Sequence, residues 1–387
     1  MLDLAALRAE TPACERVLHF NNAGASLMPT PVYATLTGHL ALERDIGGYE
    51  AAARAAPELD AFYTEFAALL HCQPDEIAYV ENATRGWDMA FYALPLVAGD
   101  RILTHGSEYA SNYLAFLQLA RRKGLEIDVV PSDMTGQIDV AAMEAMIGPR
   151  TRLVAITHCP SQSGLVNPAA AVGAVAARHG LIYLLDACQS VGQIELDVGA
   201  IGCHLMSGTG RKFLRGPRGT GFLYISRAVI DQLDPPFIDL HAATWTGPDS
   251  YTWVPGAKRF ENWESNVAGK IGLARAVAYA RAIGLPQIEV RVQGLAAGLR
   301  QALTMVPGCT VQDLGAVKSG IVTFRLNGEA PAATAKRLAT LGINVSVSPA
   351  TYAQLDLGAR GIDALVRASV HYYNTEGEVA RFMQALA

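Results

Sequence analysis

Between residues 76 and 225 short apolar runs alternate with longer stretches in which apolar residues recur every third or fourth position. The runs at 77–80, 102–104, 127–130, 153–157 and 181–186 have the length of buried strands, and GFLYI at 221–225 closes the series. Helical spacing fills 84–96, 110–122 and the alanine-rich 169–179. Strands apolar on both faces, separated by helices, predict a mostly parallel sheet covered on each side. The pattern changes near residue 265. Two long helical patterns (267–282 and 285–305) lead into IVTFRL, a helix near 332–341, INVSV, LVRASV and a last helix, which reads as a smaller α+β unit. The predicted fold is α/β, with a large domain over 15–264 and a small C-terminal domain over 265–387. Residues 1–30 are expected to pack near the active site. The loop-rich stretch 234–264 is expected at that site or at an interface.

Composition narrows the class. The chain has 387 residues, of which 51% are hydrophobic, enough for a substantial core. No apolar run approaches the roughly 18 residues of a membrane span, and the first residues lack an apolar signal core. A net charge of −5 argues against nucleic acid as a partner. The six cysteines are scattered without CxxC pairs, which fits reduced thiols and neither a disulfide framework nor a metal site. A cytoplasmic, soluble protein is the expectation.

The candidate chemistry sits where the pattern breaks. LIYLLDACQS (181–190) is an apolar run that ends in Asp186, so a buried strand delivers a carboxylate at its C-terminal end, where open α/β sheets bind ligands. SGTGRKFLRGPRGTG (207–221) then sets Lys212 among glycines and small hydroxyl residues. A lysine able to form a Schiff base and an anion facing a ring nitrogen are the two groups that pyridoxal phosphate requires. That cofactor stabilises a carbanion only while its ring nitrogen is protonated, and a lysine with the ordinary pKa of about 10.4 needs burial to act as a nucleophile. ENATRGWDM (81–89) follows the 77–80 strand, so Ala83 and Thr84 open a helix whose N-terminal amides suit a phosphate. The glycine spacing matches neither a Walker A loop nor a dinucleotide fingerprint.

Together DACQS, SGTGRKF–GPRGTGFLY and LVRASVHYYNTEGEV resemble the class V aminotransferase family, fold-type I pyridoxal-phosphate enzymes that include cysteine desulfurases, isopenicillin N epimerase and C–S lyases. The likeness covers nearly the whole chain. It implies that Lys212 is the Schiff-base lysine, Asp186 the partner of the ring nitrogen and Gln189 a donor to the ring hydroxyl. It places Ala83 and Thr84 in the phosphate turn, with Ser207 and Thr209 completing the cup. His158 falls beneath the cofactor, Ser161 where many relatives carry Asn, and Tyr109 where a His often stacks on the ring. Arg367 matches the arginine that grips the substrate α-carboxylate, and Asn21 is a further expected substrate contact. FENWESN (260–266) matches a segment that crosses a dimer interface, although Glu264 stands where a Thr is common. A homodimer with shared active sites and an amino-acid substrate follow from the same likeness.

Several reactions at Cα remain open. Cysteine desulfurases require a thiol on the loop before the C-terminal arginine, and residues 344–361 hold none. Trp245, Tyr251, Trp253 and Trp263 crowd into 241–266, and electron-rich rings attract quaternary ammonium groups. That segment resembles hercynylcysteine sulfoxide lyases, so the favoured expectation is β-elimination from an S-substituted cysteine or its sulfoxide, with Trp245 as a substrate contact and Lys212 as the base. Epimerisation, with Tyr109 or His158 as a second acid, and transamination are the alternatives. A cofactor-binding protein without catalysis is a further one.

Overall fold

The computed structural model describes residues 2–386. In chain order it runs α1 (Leu4–Ala9), β1 (Leu18–His19), α2 (Thr30–Ile46), α3 (Gly48–Arg54), α4 (Ala56–Leu70), β2 (Ile77–Val80), α5 (Ala83–Tyr92), β3 (Arg101–His105), α6 (Ala110–Lys123) and β4 (Glu126–Val130). It continues through α7 (Val140–Ala145), β5 (Thr151–Thr157), α8 (Ala169–Arg178), β6 (Ile182–Asp186), α9 (Val198–Ile201), β7 (Leu205–Thr209) and β8 (Gly221–Ile225) to the hairpin β9 (Ala243–Gly247) and β10 (Ser250–Trp253). The remainder is α10 (Val267–Ile283), α11 (Leu285–Thr304), β11 (Cys309–Val311), β12 (Ile321–Leu326), α12 (Pro331–Thr340), β13 (Ile343–Asn344), β14 (Ser346–Pro349), β15 (Ala364–Ser369) and α13 (Glu376–Leu386).

Seven strands form the large sheet in the order β2-β8-β7-β6-β5-β3-β4. Only β8 runs against its neighbours, so the sheet is mostly parallel, as the uninterrupted apolar runs imply. β7 and β8 are buried along their whole length. One hydrophobic core on each face covers this sheet. Phe62, Phe66 and Val172 lie on one side and Trp87, Phe91 and Phe116 on the other. The carboxyl ends of β3, β5, β6 and β7 share one edge, which delivers His105, Thr157, Asp186 and Thr209 to the same region.

The second sheet, β11-β12-β15-β14, is antiparallel throughout. Its core joins Val322, Phe324, Val366 and Phe382 with Leu18 and Phe20 from near the N-terminus. The N-terminal segment is tied in because β1 pairs in parallel with β13, and Asn21 bridges Ser369. Packing therefore crosses the expected 264/265 division in both directions. α10 is buried nearly all round, and Leu273, Val277 and Ala280 join the larger core. A helix of that kind needs two covering layers, and it finds them against α2 and α4.

Residues 30–70 form three helices to which the hydrophobic pattern assigned no element. Within 234–264 the expected loop contains the β9–β10 hairpin. Among the described residues no helix is long and apolar enough to cross a membrane, and no cluster of three or more His, Cys, Asp or Glu could hold a metal.

Candidate active site

One cleft at the carboxyl edge of the large sheet gathers Ala83, Thr84, Tyr109, Asp186, Gln189 and Lys212. Asp186 ends β6 and is almost fully buried. Its Oδ1 accepts from the Cys188 amide at 2.8 Å and its Oδ2 from Asn112 Nδ2 at 2.9 Å. A carboxylate has about four lone-pair sites, so this anchored group, with two of them used, keeps capacity for a further donor. Lys212 follows β7 and is buried in the same cleft. Desolvation lowers the pKa of its ammonium, which favours the neutral amine that attacks an aldehyde.

The phosphate end is built by backbone. Asn82 caps α5 by accepting from the Arg85 amide at 2.9 Å, which leaves the amides of Ala83 and Thr84 opening into the cleft wall. β8 lies close beneath: a Cβ on Gly221 would meet Gly208 O at 2.6 Å and Ala83 N at 3.2 Å. Arg211 also lines the cleft, and its Nη1 donates to Thr209 Oγ1 at 2.9 Å. A fixed cation beside a helix N-terminus suits a dianion.

On the other side, Arg367 projects from β15 and is buried. It donates to Ser161 O at 3.2 Å and Asn21 Oδ1 at 3.3 Å, while its Nε has no partner. Burial lowers its pKa to about 10, so it remains a cation at neutral pH. Ser161 Oγ accepts from Gln189 Nε2 at 2.9 Å.

The residues fit pyridoxal phosphate. Buried polar atoms without partners are costly, and Gln189 Oε1 and Arg367 Nε are two such atoms at this site. Gln189 differs from its expected role. Its Nε2 is committed to Ala23 O and Ser161 Oγ, which leaves an acceptor facing the cleft, suited to a ring hydroxyl that donates.

Three further expected residues lie outside the cleft wall. Ser207 is buried on β7 beside Asp186. Thr209 acts through Arg211. His158 donates its amide to Asp186 O at 2.9 Å, and burial lowers its imidazole pKa to about 4, so it is neutral and a poor acid. Trp245 departs most from expectation: it is 72% exposed on β9, and no aromatic cage stands in the cleft. The cause is the hairpin, a two-stranded ribbon that the rest of the chain covers on neither face at this point, so Thr244, Trp245 and Thr246 are all exposed.

The sequence reading missed Arg211, Cys188, Asn112 and Glu108. Arg211 adjoins Lys212, and in the sequence it is one of three arginines, with Arg215 and Arg218, that look alike. Arg215 instead is fully buried, with its guanidinium over Tyr373 and Tyr372. Asn112 sits one helical turn after Glu108, a spacing that places both on one face of a helix start.

The chain is 30% identical to the curated probable cysteine desulfurase of Methanothermobacter thermautotrophicus over 379 residues, covering 96% of this chain and 94% of that protein. It is 31% identical over 393 residues to a probable cysteine desulfurase of Xylella fastidiosa, covering 98% and 94%. The apo structure of a cysteine desulfurase from Thermococcus onnurineus NA1 superposes with a TM-score of 0.93 at 26% identity, covering 100% of this chain and 97% of that one. These likenesses do not support the expected nearest kinship with hercynylcysteine sulfoxide lyases or isopenicillin N epimerase, and they favour cysteine desulfurases, which the sequence reading had set lower. Residues 18–382 match the aminotransferase class-V family model, and with the fold and cleft described above the chain belongs to that family of pyridoxal-phosphate enzymes.

Proposed function

We propose that the protein acts on cysteine or an S-substituted cysteine and breaks its Cβ–S bond, releasing the sulfur as a small molecule. Pyridoxal phosphate, once bound, supplies the sink for the electrons of the Cα–H bond. Lys212 tethers it and then takes the proton from Cα. Asp186, held by Asn112 and the Cys188 amide, keeps a proton on the ring nitrogen. The α5 N-terminus and Arg211 hold the phosphate, and Arg367 grips the substrate α-carboxylate at two points. With cysteine, elimination consumes one water and yields pyruvate, ammonia and hydrogen sulfide.

The observation that carries this reading over transfer of sulfur to the chain is the lack of a ready thiol. Residues 344–361, which run from the end of β13 through β14 to the turns before β15, contain no cysteine. Cys188 and Cys159 line the cleft, but burial pushes both thiols well above their ordinary range, away from the nucleophilic thiolate. Desulfuration to alanine is the second reading, favoured by the names of the relatives.

Cysteine incubated with the holoenzyme distinguishes the two. Pyruvate and sulfide in equal amounts support elimination. Alanine in step with persulfide on an added thiol supports desulfuration. If cysteine gives neither, S-substituted cysteines and their sulfoxides, assayed for pyruvate, test the substrate class. The exposed Phe237, Leu240, Trp245 and Trp263 support a homodimer formed through the 237–263 segment, and sedimentation at micromolar concentration tests it.

A further inference from the structure

Behind the cleft, a second carboxyl lies close to Asp186. Glu108, at the start of the turn into α6, is almost fully buried, and among the described residues no cation pairs with it. Burying an unpaired carboxyl is costly, and hydrophobic packing gains nothing from it. Every bond it makes is directional. Oε1 accepts from Asn112 Nδ2 at 2.8 Å, from the Tyr109 amide at 2.9 Å and from the Thr157 hydroxyl, and Oε2 accepts from Thr104 Oγ1 at 3.3 Å. Thr104 and Thr157 lie on β3 and β5, so the carboxyl is fixed to the sheet.

Asn112 is the link. Its Nδ2 carries two hydrogens, one directed to Glu108 Oε1 and the other to Asp186 Oδ2 at 2.9 Å. Reversing the amide would turn its oxygen toward two carboxyl groups, so Glu108, together with Asp186, fixes which way Asn112 points. We propose that Glu108 is a positioning residue that, through Asn112, orients the Asp186 carboxylate toward the cofactor ring nitrogen. The proposal rests on the place given to Asp186 above. The groups facing Glu108 are Asp186 and the Tyr183 phenol on β6, with neutral Asn112, Thr104 and Thr157. Burial, helped by the Asp186 charge, pushes its carboxyl pKa up to about 7. Because orientation requires only an acceptor at Oε1, a glutamine at 108 retains it.

The test uses the holoenzyme of Glu108→Leu, Asn112→Leu, their double variant and Glu108→Gln. The readouts are kcat, KM and the pH titration of the visible absorbance band of the bound cofactor. Glu108→Leu and Asn112→Leu should each lower kcat about tenfold with KM within about twofold, and both should shift the titration midpoint. The double variant should be no worse than either single one, since both break one path. Glu108→Gln should return kcat to within about threefold of wild type. Losses that multiply, or a wild-type titration in Glu108→Leu with only thermal stability reduced, overturn the proposal. Should Glu108→Leu not fold, Asn112→Asp replaces it, because one carboxyl cannot donate to both neighbours. A wild-type titration in that variant is equally contradictory. Asp186→Asn separates the two claims: if it leaves the band unchanged, the assignment of Asp186 fails, and if only Asp186→Asn alters the band, the relay alone fails.

Discussion

At the residue scale three side chains have separate tasks in the proposed reaction, and substitution should separate them. Lys212→Ala removes tether and base together, so kcat should fall by about a thousandfold or more, measured as product released per active site. Arg367→Lys replaces a two-point grip with a point charge in a buried site. KM should rise by about ten- to a hundredfold with kcat little changed, and an unaltered KM in initial-rate kinetics contradicts carboxylate pairing. Asp186 and Lys212 were legible in the sequence because each interrupts its surroundings, one ending an apolar run and the other set among glycines. Arg367 was not legible without a family likeness, since an arginine within LVRASV looks like any strand-end cation. Aromatic crowding does not reveal whether a ring reaches the cleft of its own chain, and Trp245 is exposed outside it.

At the element scale, function depends on how close strands come to the start of α5. A methyl at position 221 would meet Gly208 O at 2.6 Å, backbone against backbone, so β7 and β8 would separate beneath the phosphate turn. Gly221→Ala should therefore weaken cofactor retention more than it lowers the melting temperature of the cofactor-free chain, with dialysis and absorbance as the check. Asn82→Ala removes the cap on the same helix, at a cost of about 1 kcal/mol, and should loosen the cofactor in the same direction. The inner strands of the large sheet were readable from continuous apolar runs, since burial on both faces leaves no alternation to confuse. β7 was not, because its LMSGT mixes small and polar residues that serve the site. The helices over 30–70 went unassigned because alanine and scattered charge blur their apolar stripe.

At the scale of the whole molecule, the two sheets are held together by chain segments that return across the division, β1 to β13 and α10 to α2 and α4. Titration should act on this assembly as one unit. Burial lowers His105 and His158 to about 4, and His19, His204 and His371 are lowered as well. Their unfolded pKa is near 6.5, so the unfolded chain binds more protons between about 4 and 6.5, and stability falls as pH drops through that window. Glu108, raised to about 7, and Asp88, raised to about 6, act oppositely, because the folded state holds their protons longer. Five lowered histidines outweigh two raised carboxyls, so the urea midpoint should be lower at pH 5 than at pH 7. Equal midpoints contradict this balance.

Each role proposed above requires the cofactor to be joined to one amine in the cleft at the carboxyl edge of the large sheet. Reduction of the purified holoenzyme with borohydride fixes that bond, and peptide mass mapping then locates it. The account predicts a single reduced pyridoxyl group on Lys212. A label on Lys270, the other buried lysine, or on any lysine outside the cleft contradicts it, as does a chain loaded with cofactor that takes no label at all.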